Sequence, residues 1–164
     1  MSDLLTAGEY KALAETMTIG GNAFIDGAAR PAISGETFAA INPATGQELA
    51  KVAACGAADV DFAVAKAWEA FDDGRWRNLP PAERKRVLIA FAKLIERNRH
   101  ELAVLESLDS GKPVAECQTI DVHETINTIR WHAELIDKIY DSTAPVGQGT
   151  TALIVREPTG AVLT

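Results

Sequence analysis

Apolar positions change their period along the chain, and the changes mark its elements. Leu4, Leu5, Tyr10, Leu13, Ala14 and Met17 share one broad helical face, which predicts a short amphipathic helix over 3–17, ended by Gly20-Gly21. Ala23-Phe24-Ile25 then reads as a strand before the turn dipeptide Asp26-Gly27. A second strand, Thr37 to Ile41, stops at Asn42-Pro43, and Thr45-Gly46 turns the chain into a third apolar run, Gln47 to Ala54. This pattern predicts hairpins rather than a parallel core.

From Gly56 the spacing becomes helical. Val60, Val64, Trp68 and Phe71 recur on one face, with Asp59 near the N-terminus, where a carboxylate favours the helix dipole. Asp72-Asp73-Gly74 ends that helix and Pro80-Pro81 opens another, since proline suits a first turn. Leu88, Phe91, Ile95, Leu102 and Leu105 mark its buried stripe. Asn98 with Glu101 forms a capping-box pattern, so a break is expected there, with a fresh helix to Leu108. Gly111 fits a C-cap and Pro113 a helix start. Val122, Ile126, Ile129, Ala133, Ile136 and Tyr140 step by three and four, carrying the last helix to about Tyr140. A loop is expected over 141–149, a β-rich run over Thr150 to Glu157, a break at Pro158-Thr159-Gly160, and a further strand from Ala161 to Thr164. Strands usually run ~5–6 residues before a turn, so the sequence reads as cut in mid-strand.

Composition narrows the function classes. The chain has 164 residues, 47% of them hydrophobic and 24% charged, with a net charge of −7. That is a globular composition for one domain, and a pI near 5.0 argues against binding nucleic acid, whose phosphates require clustered Lys and Arg. Two cysteines, Cys55 and Cys117, suit a reducing compartment. No apolar run approaches the ~20 residues of a membrane span, and the N-terminus lacks signal-peptide character, so a cytoplasmic location is expected.

Chemistry-bearing motifs are sparse. There is no Gly-x-Gly-x-x-Gly and no Walker loop. Of His100, His123 and His132, only the last two share a helix, at a spacing that does not chelate. Arg84-Lys85-Arg86 reads as a solvated helix face, with a phosphate patch as the alternative. Cys117 lies near Asp121 and His123, but six residues place it about 240° around an α-helix from His123, so a small buried filler is favoured over a nucleophile. Cys55 is read the same way. Asp121 and Glu124 at i,i+3 are either a solvated acidic face or an anionic clamp for a cationic ligand group. Asp109 is either a helix-end residue bonding nearby backbone donors or a hard-cation ligand.

An ordered series of segments resembles the aldehyde dehydrogenase superfamily, N-terminal portion only. The series is Ala23-Phe24-Ile25-Asp26-Gly27, Ile41-Asn42-Pro43-Ala44-Thr45-Gly46, Ala58-Asp59-Val60-Asp61, Trp76, Arg84, and Leu105 through Pro113. Arg130-Trp131, Asp137-Lys138 and Arg156-Glu157-Pro158-Thr159-Gly160 complete it. The resemblance is closest to the bacterial branch acting on gamma-glutamyl-aminobutyraldehyde and related aminoaldehydes. It implies a mixed α and β fold: hairpins, a helical cluster and part of an oligomerisation hairpin, as an incomplete piece of a Rossmann-like NAD-binding domain. It implies that 1–143 belong to the cofactor-binding domain, 144–157 to the oligomerisation hairpin and 158–164 to the start of a strand.

The parent activity so implied is NAD- or NADP-dependent oxidation of an aldehyde to its acid through a cysteine thiohemiacetal, in a dimer or tetramer. The family's Pro-Trp-Asn motif, general-base glutamate and nucleophilic cysteine have no match here, so this chain alone is expected to be inactive. Neither catalytic nor cofactor-binding residues are assigned within it. A sodium or potassium ion would take the carbonyl of Ile41, with Ala40, and the carboxylate of Asp109, as an incomplete site. Asp121 and Glu124 stand at the substrate entrance. The alternative is a free-standing, non-catalytic binding or assembly module derived from the same segment.

Overall fold

The computed structural model describes residues 3–161. Its first helix, α1 (Ala7–Thr16), starts later than the apolar pattern predicts. Thr6 is the reason. Its hydroxyl accepts from Glu9 N while the Glu9 carboxylate accepts from Thr6 N at 2.8 Å, a reciprocal capping box that fixes the start at Ala7. Two antiparallel hairpins follow, β1 (Ala23–Ile25) with β2 (Ala28–Arg30), and β3 (Thr37–Ile41) with β4 (Glu48–Ala53). A bulge lies between Ala40 and Ile41, just before the Asn42-Pro43 turn.

Helix α2 (Ala57–Asp72) begins where Asp59 accepts from the Gly56 N–H at 2.9 Å and the Ile33 N–H at 2.8 Å. The buried Asp59 carboxylate therefore caps its own helix and anchors the loop after β2. Helix α3 (Pro81–Arg97) opens on proline as expected, and α4 (Arg99–Ser110) follows after a single non-helical residue, Asn98. The break is where the sequence places it, but no capping box forms. Asn98 Nδ2 donates backward to Leu94 O at 2.8 Å, so its side chain finishes α3 instead of starting α4. Helix α4 runs past Leu108 to Ser110.

Gly111 ends α4 at φ 76°, where a Cβ would stand 2.9 Å from Pro43 Cγ. A left-handed backbone and a blocked Cβ act together here. Gly111→Ala is expected to lower stability by about 1–3 kcal/mol, read as a lower thermal midpoint of the chain. An unchanged midpoint would show that the contact between α4 and the Asn42-Pro43 turn yields freely.

After Gly111 come α5 (Val114–Glu116), a π-helical turn (Cys117–Val122) and α6 (His123–Leu135). The continuous helix predicted to Tyr140 is thus interrupted by the π turn and ends at Leu135. Lys138 N then bonds Leu135 O in a closing turn. A last hairpin pairs β5 (Ser142–Ala144) with β6 (Ala152–Ile154). It corrects two expectations: β5 starts inside the predicted 141–149 loop, and the β-rich run over 150–157 narrows to three residues. The strand predicted from Ala161 has no regular structure at Ala161, and its remainder lies outside the described residues.

The core is helical and built from small side chains. Ala92, Ala103, Cys117, Val122 and Ile126 form it, with Ile95, Val114 and Ile129 against it. Of the predicted buried stripe, Ile95 packs against it, while Phe91, Leu102 and Leu105 stay partly exposed. Phe91 is 50% exposed, and Leu102 and Leu105 are 37% exposed. They line a groove of about 680 Å³ with Leu49, Val52 and Ile95, between the second hairpin and helices α3 and α4. Among the described residues, no helix is long and apolar enough to cross a membrane.

Candidate functional site

The loop after α4 reverses the chain and is held by short side chains. Ser107 Oγ donates to Lys112 O at 2.7 Å, and Ser110 Oγ donates to Glu106 O at 2.7 Å. The reversal lays the π turn back along α4. Two buried neighbours of that turn then point to different places: Cys117 toward Glu106, and Gln118 toward α1.

The first group is a small charged cluster. Ligand atoms of Glu106, Cys117 and Asp121 lie within 4.8 Å of one another, and Lys112 Nζ donates to Asp121 Oδ2 at 2.5 Å. Burial pushes the Glu106 carboxyl pKa up, and the neighbouring Asp121 charge and a hydrogen bond to it add to the shift. The Lys112 ammonium is held charged to higher pH, chiefly by its bond to Asp121. The donor set is of a metal-binding type, but the lysine ammonium already supplies the positive charge there.

Glu106 gives the cluster a signed pH dependence. Its folded pKa is raised, so the folded protein holds a proton that the unfolded chain releases. Stability therefore falls as pH rises from the ordinary carboxylate value, near 4.5, up through the raised folded value. Glu106→Gln is expected to remove that fall, so its advantage over the wild-type chain should grow with pH across the window. Parallel melting curves for the two chains over that range check this. A constant difference contradicts it.

The predicted entrance pair is not equivalent in its surroundings. Asp121 is half-buried and occupied by Lys112, whereas Glu124 is exposed in the first turn of α6 and pairs with no cation among the described residues. The sequence treats the two as one α-helical face. The π turn ends between them, at Val122.

Cys117 is fully buried, and burial pushes its thiol pKa up, with the two carboxylates adding to it. This is the reverse of nucleophile activation. His123 lies elsewhere, lining a cavity of about 500 Å³ with Asp3, Glu96 and Arg99. Cys55 is exposed. Within Arg84-Lys85-Arg86, Lys85 pairs with Glu134 at 2.6 Å and Asp137 at 3.4 Å and Arg86 with Glu83 at 2.7 Å, while Arg84 is half-buried and its Nε has no partner among the described residues. Asp109 is exposed and lines the apolar groove together with Ala40, while Gly111 packs on Pro43 beside Ile41. Sequence reasoning missed Glu106 and Lys112 as neighbours of Asp121, and Gln118 as the contact to α1. Lys112 and Asp121 are nine residues apart across a chain reversal, a pairing that no helical spacing signals.

Compared with known proteins, the described architecture has a clear place. The Aldehyde dehydrogenase family profile matches residues 30–164, and the chain belongs to that family. It is 61% identical over 162 residues to an aminoacetaldehyde dehydrogenase of Pseudomonas aeruginosa, covering 99% of this chain and 33% of that protein. An indole-3-acetaldehyde dehydrogenase of P. syringae, solved with NAD+, superposes with a TM-score of 0.92 at 44% identity, over 96% of this chain and 32% of its own. A gamma-glutamyl-gamma-aminobutyraldehyde dehydrogenase of Burkholderia cenocepacia also gives 0.92 at 45% identity, over 95% of this chain and 32% of its own. The chain thus spans about a third of the length of the relatives it matches.

Proposed function

We propose that this chain is the N-terminal third of an NAD- or NADP-dependent dehydrogenase that oxidises aminoaldehydes to amino acids. The exposed carboxylate of Glu124, unpaired among the described residues, carries the substrate reading. The likeness to an aminoacetaldehyde dehydrogenase over nearly the whole chain supports it. In the complete enzyme a bound NAD or NADP would supply the hydride acceptor for that oxidation. The residues of this chain act at the other end of the substrate. Glu124 attracts the ammonium group, and Asp121, neutralised by Lys112, supports the wall of the entrance. In this reading 1–143 belong to the cofactor-binding domain, and the hairpin near 144–157 pairs with another subunit. A monovalent cation would fit oxygen donors at the end of α4 and the bulge before Asn42: the Asp109 carboxylate with the carbonyls of Ile41 and Ala40.

The reading frame beyond the Thr164 codon tests this proposal. It is expected to continue into Pro-Trp-Asn and a chain about three times this length. A natural product with the 17.5 kDa mass of this chain would refute it and favour a free-standing assembly module.

A further inference from the structure

The N-terminal segment lies upstream of the family match, and the structure ties it to one side chain of the π turn. Gln118 is 7% exposed. Its Oε1 accepts from the Tyr10 hydroxyl and lies 2.7 Å from His100 Nδ1. Its Nε2 donates to Asp3 O at 2.8 Å. An amide oxygen carries no proton, so His100 holds its own on Nδ1, and both lone pairs of Oε1 are used. Tyr10 is buried and stands edge-on to His100, and Arg99 pairs with Asp3 from the first turn of α4. One buried amide thus joins the start of the chain, α1, α4 and the π turn.

A π turn carries one more residue per turn than the α-helix and is seldom stable without side chains that hold it. Were it to relax to α geometry with α6 fixed by Ile126 and Ala133, the residues before α6 would shift by one position, about 100° around the axis. Asp121 would leave Lys112 and Glu106, and the first turn carrying Glu124 would lose its support. Gln118 stands three residues before Asp121 and six before Glu124.

We propose that Asp3 to Thr16 form a strap on the substrate entrance, and that Gln118 is the positioning residue through which this strap holds the π turn and sets Asp121 and Glu124. The proposal rests on the reading of Glu124 as the amine-recognising carboxylate. It extends that reading to a segment the family match does not include.

The test uses the complete enzyme with residues 1–17 deleted, and with Tyr10→Phe, Gln118→Met and Gln118→Glu. Tyr10→Phe removes one hydroxyl and leaves the other anchors, so it serves where the deletion fails to fold. Amide hydrogen exchange over 117–124 is expected to quicken about tenfold in all but Gln118→Glu, with α3 unchanged. KM for aminobutyraldehyde should rise about fivefold, while kcat and the KM for butyraldehyde hold. Gln118→Glu keeps an oxygen to accept from Tyr10 and His100 but loses the donor to Asp3 O, so both effects should fall between wild type and Gln118→Met. Unchanged exchange over 117–124 overturns the proposal. So does faster exchange with an unmoved KM ratio, in an enzyme whose ratio Glu124→Gln does move. If Glu124→Gln leaves the ratio unmoved, the substrate reading falls instead, and the exchange result alone decides the strap.

Discussion

Glu124→Gln in the complete enzyme is expected to lower kcat/KM for aminobutyraldehyde about tenfold and to leave butyraldehyde unchanged. The size follows from the charge environment. Unit charges ~4 Å apart interact by about 1 kcal/mol in bulk water and about 4 kcal/mol at an effective dielectric of 20. Glu124 is exposed, which favours the lower part of that range, and about 1.4 kcal/mol corresponds to tenfold. Asp121 cannot replace it, because its charge is matched by Lys112 at 2.5 Å. The amide keeps the shape of the side chain and removes only its charge, so butyraldehyde, with no ammonium group, serves as the internal control. The readout is the ratio of the two kcat/KM values in wild type and variant. An unchanged ratio would mean that Glu124 does not read the amine.

Residues 1–164 prepared alone are expected to show no NAD-dependent aldehyde oxidation and to self-associate as concentration rises. Cys117 is unsuited to act as nucleophile, being fully buried with its thiol pKa pushed up, and Cys55 lies in the exposed link between β4 and α2. Association follows from the apolar surface. Leu153, Ile154 and Val155 are 69%, 58% and 61% exposed, on both faces of a two-stranded hairpin whose edges are open. The groove with Phe91, Leu102 and Leu105 adds a second apolar face. Light scattering across a concentration series, with an NADH assay on the same preparation, checks both parts. A monodisperse monomer at high concentration contradicts self-association, and turnover reversibly dependent on NAD contradicts inactivity.

Local punctuation made much of the fold legible. Pro81 marks a helix start because its ring fixes φ and removes a donor, Gly74 and Gly111 mark helix ends because glycine readily takes the positive φ found there, and Asp26-Gly27 marks the first hairpin through the same positive φ. The family resemblance is legible because such segments stand in a fixed order. The misses have physical causes. Cys117 and Asp121, like Gln118 and Val122, are four apart, a spacing that α and π turns both satisfy, so composition does not announce the π turn. Asn98 offers its side chain to either neighbouring helix, and only packing decides that Leu94 O takes it. Periodicity shows that Phe91, Leu102 and Leu105 share an apolar face, but not what covers that face. At the site, Asp121 and Glu124 were legible as acids, whereas Lys112 and Glu106, which make them unequal, meet only through the reversal at Gly111.

The proposed recognition of the amine end of the aldehyde is open to one plain assay: NADH formation by the complete protein with aminobutyraldehyde and with butyraldehyde under identical conditions. A higher kcat/KM for aminobutyraldehyde is expected. No NADH with either substrate, or a preference for butyraldehyde, would contradict it.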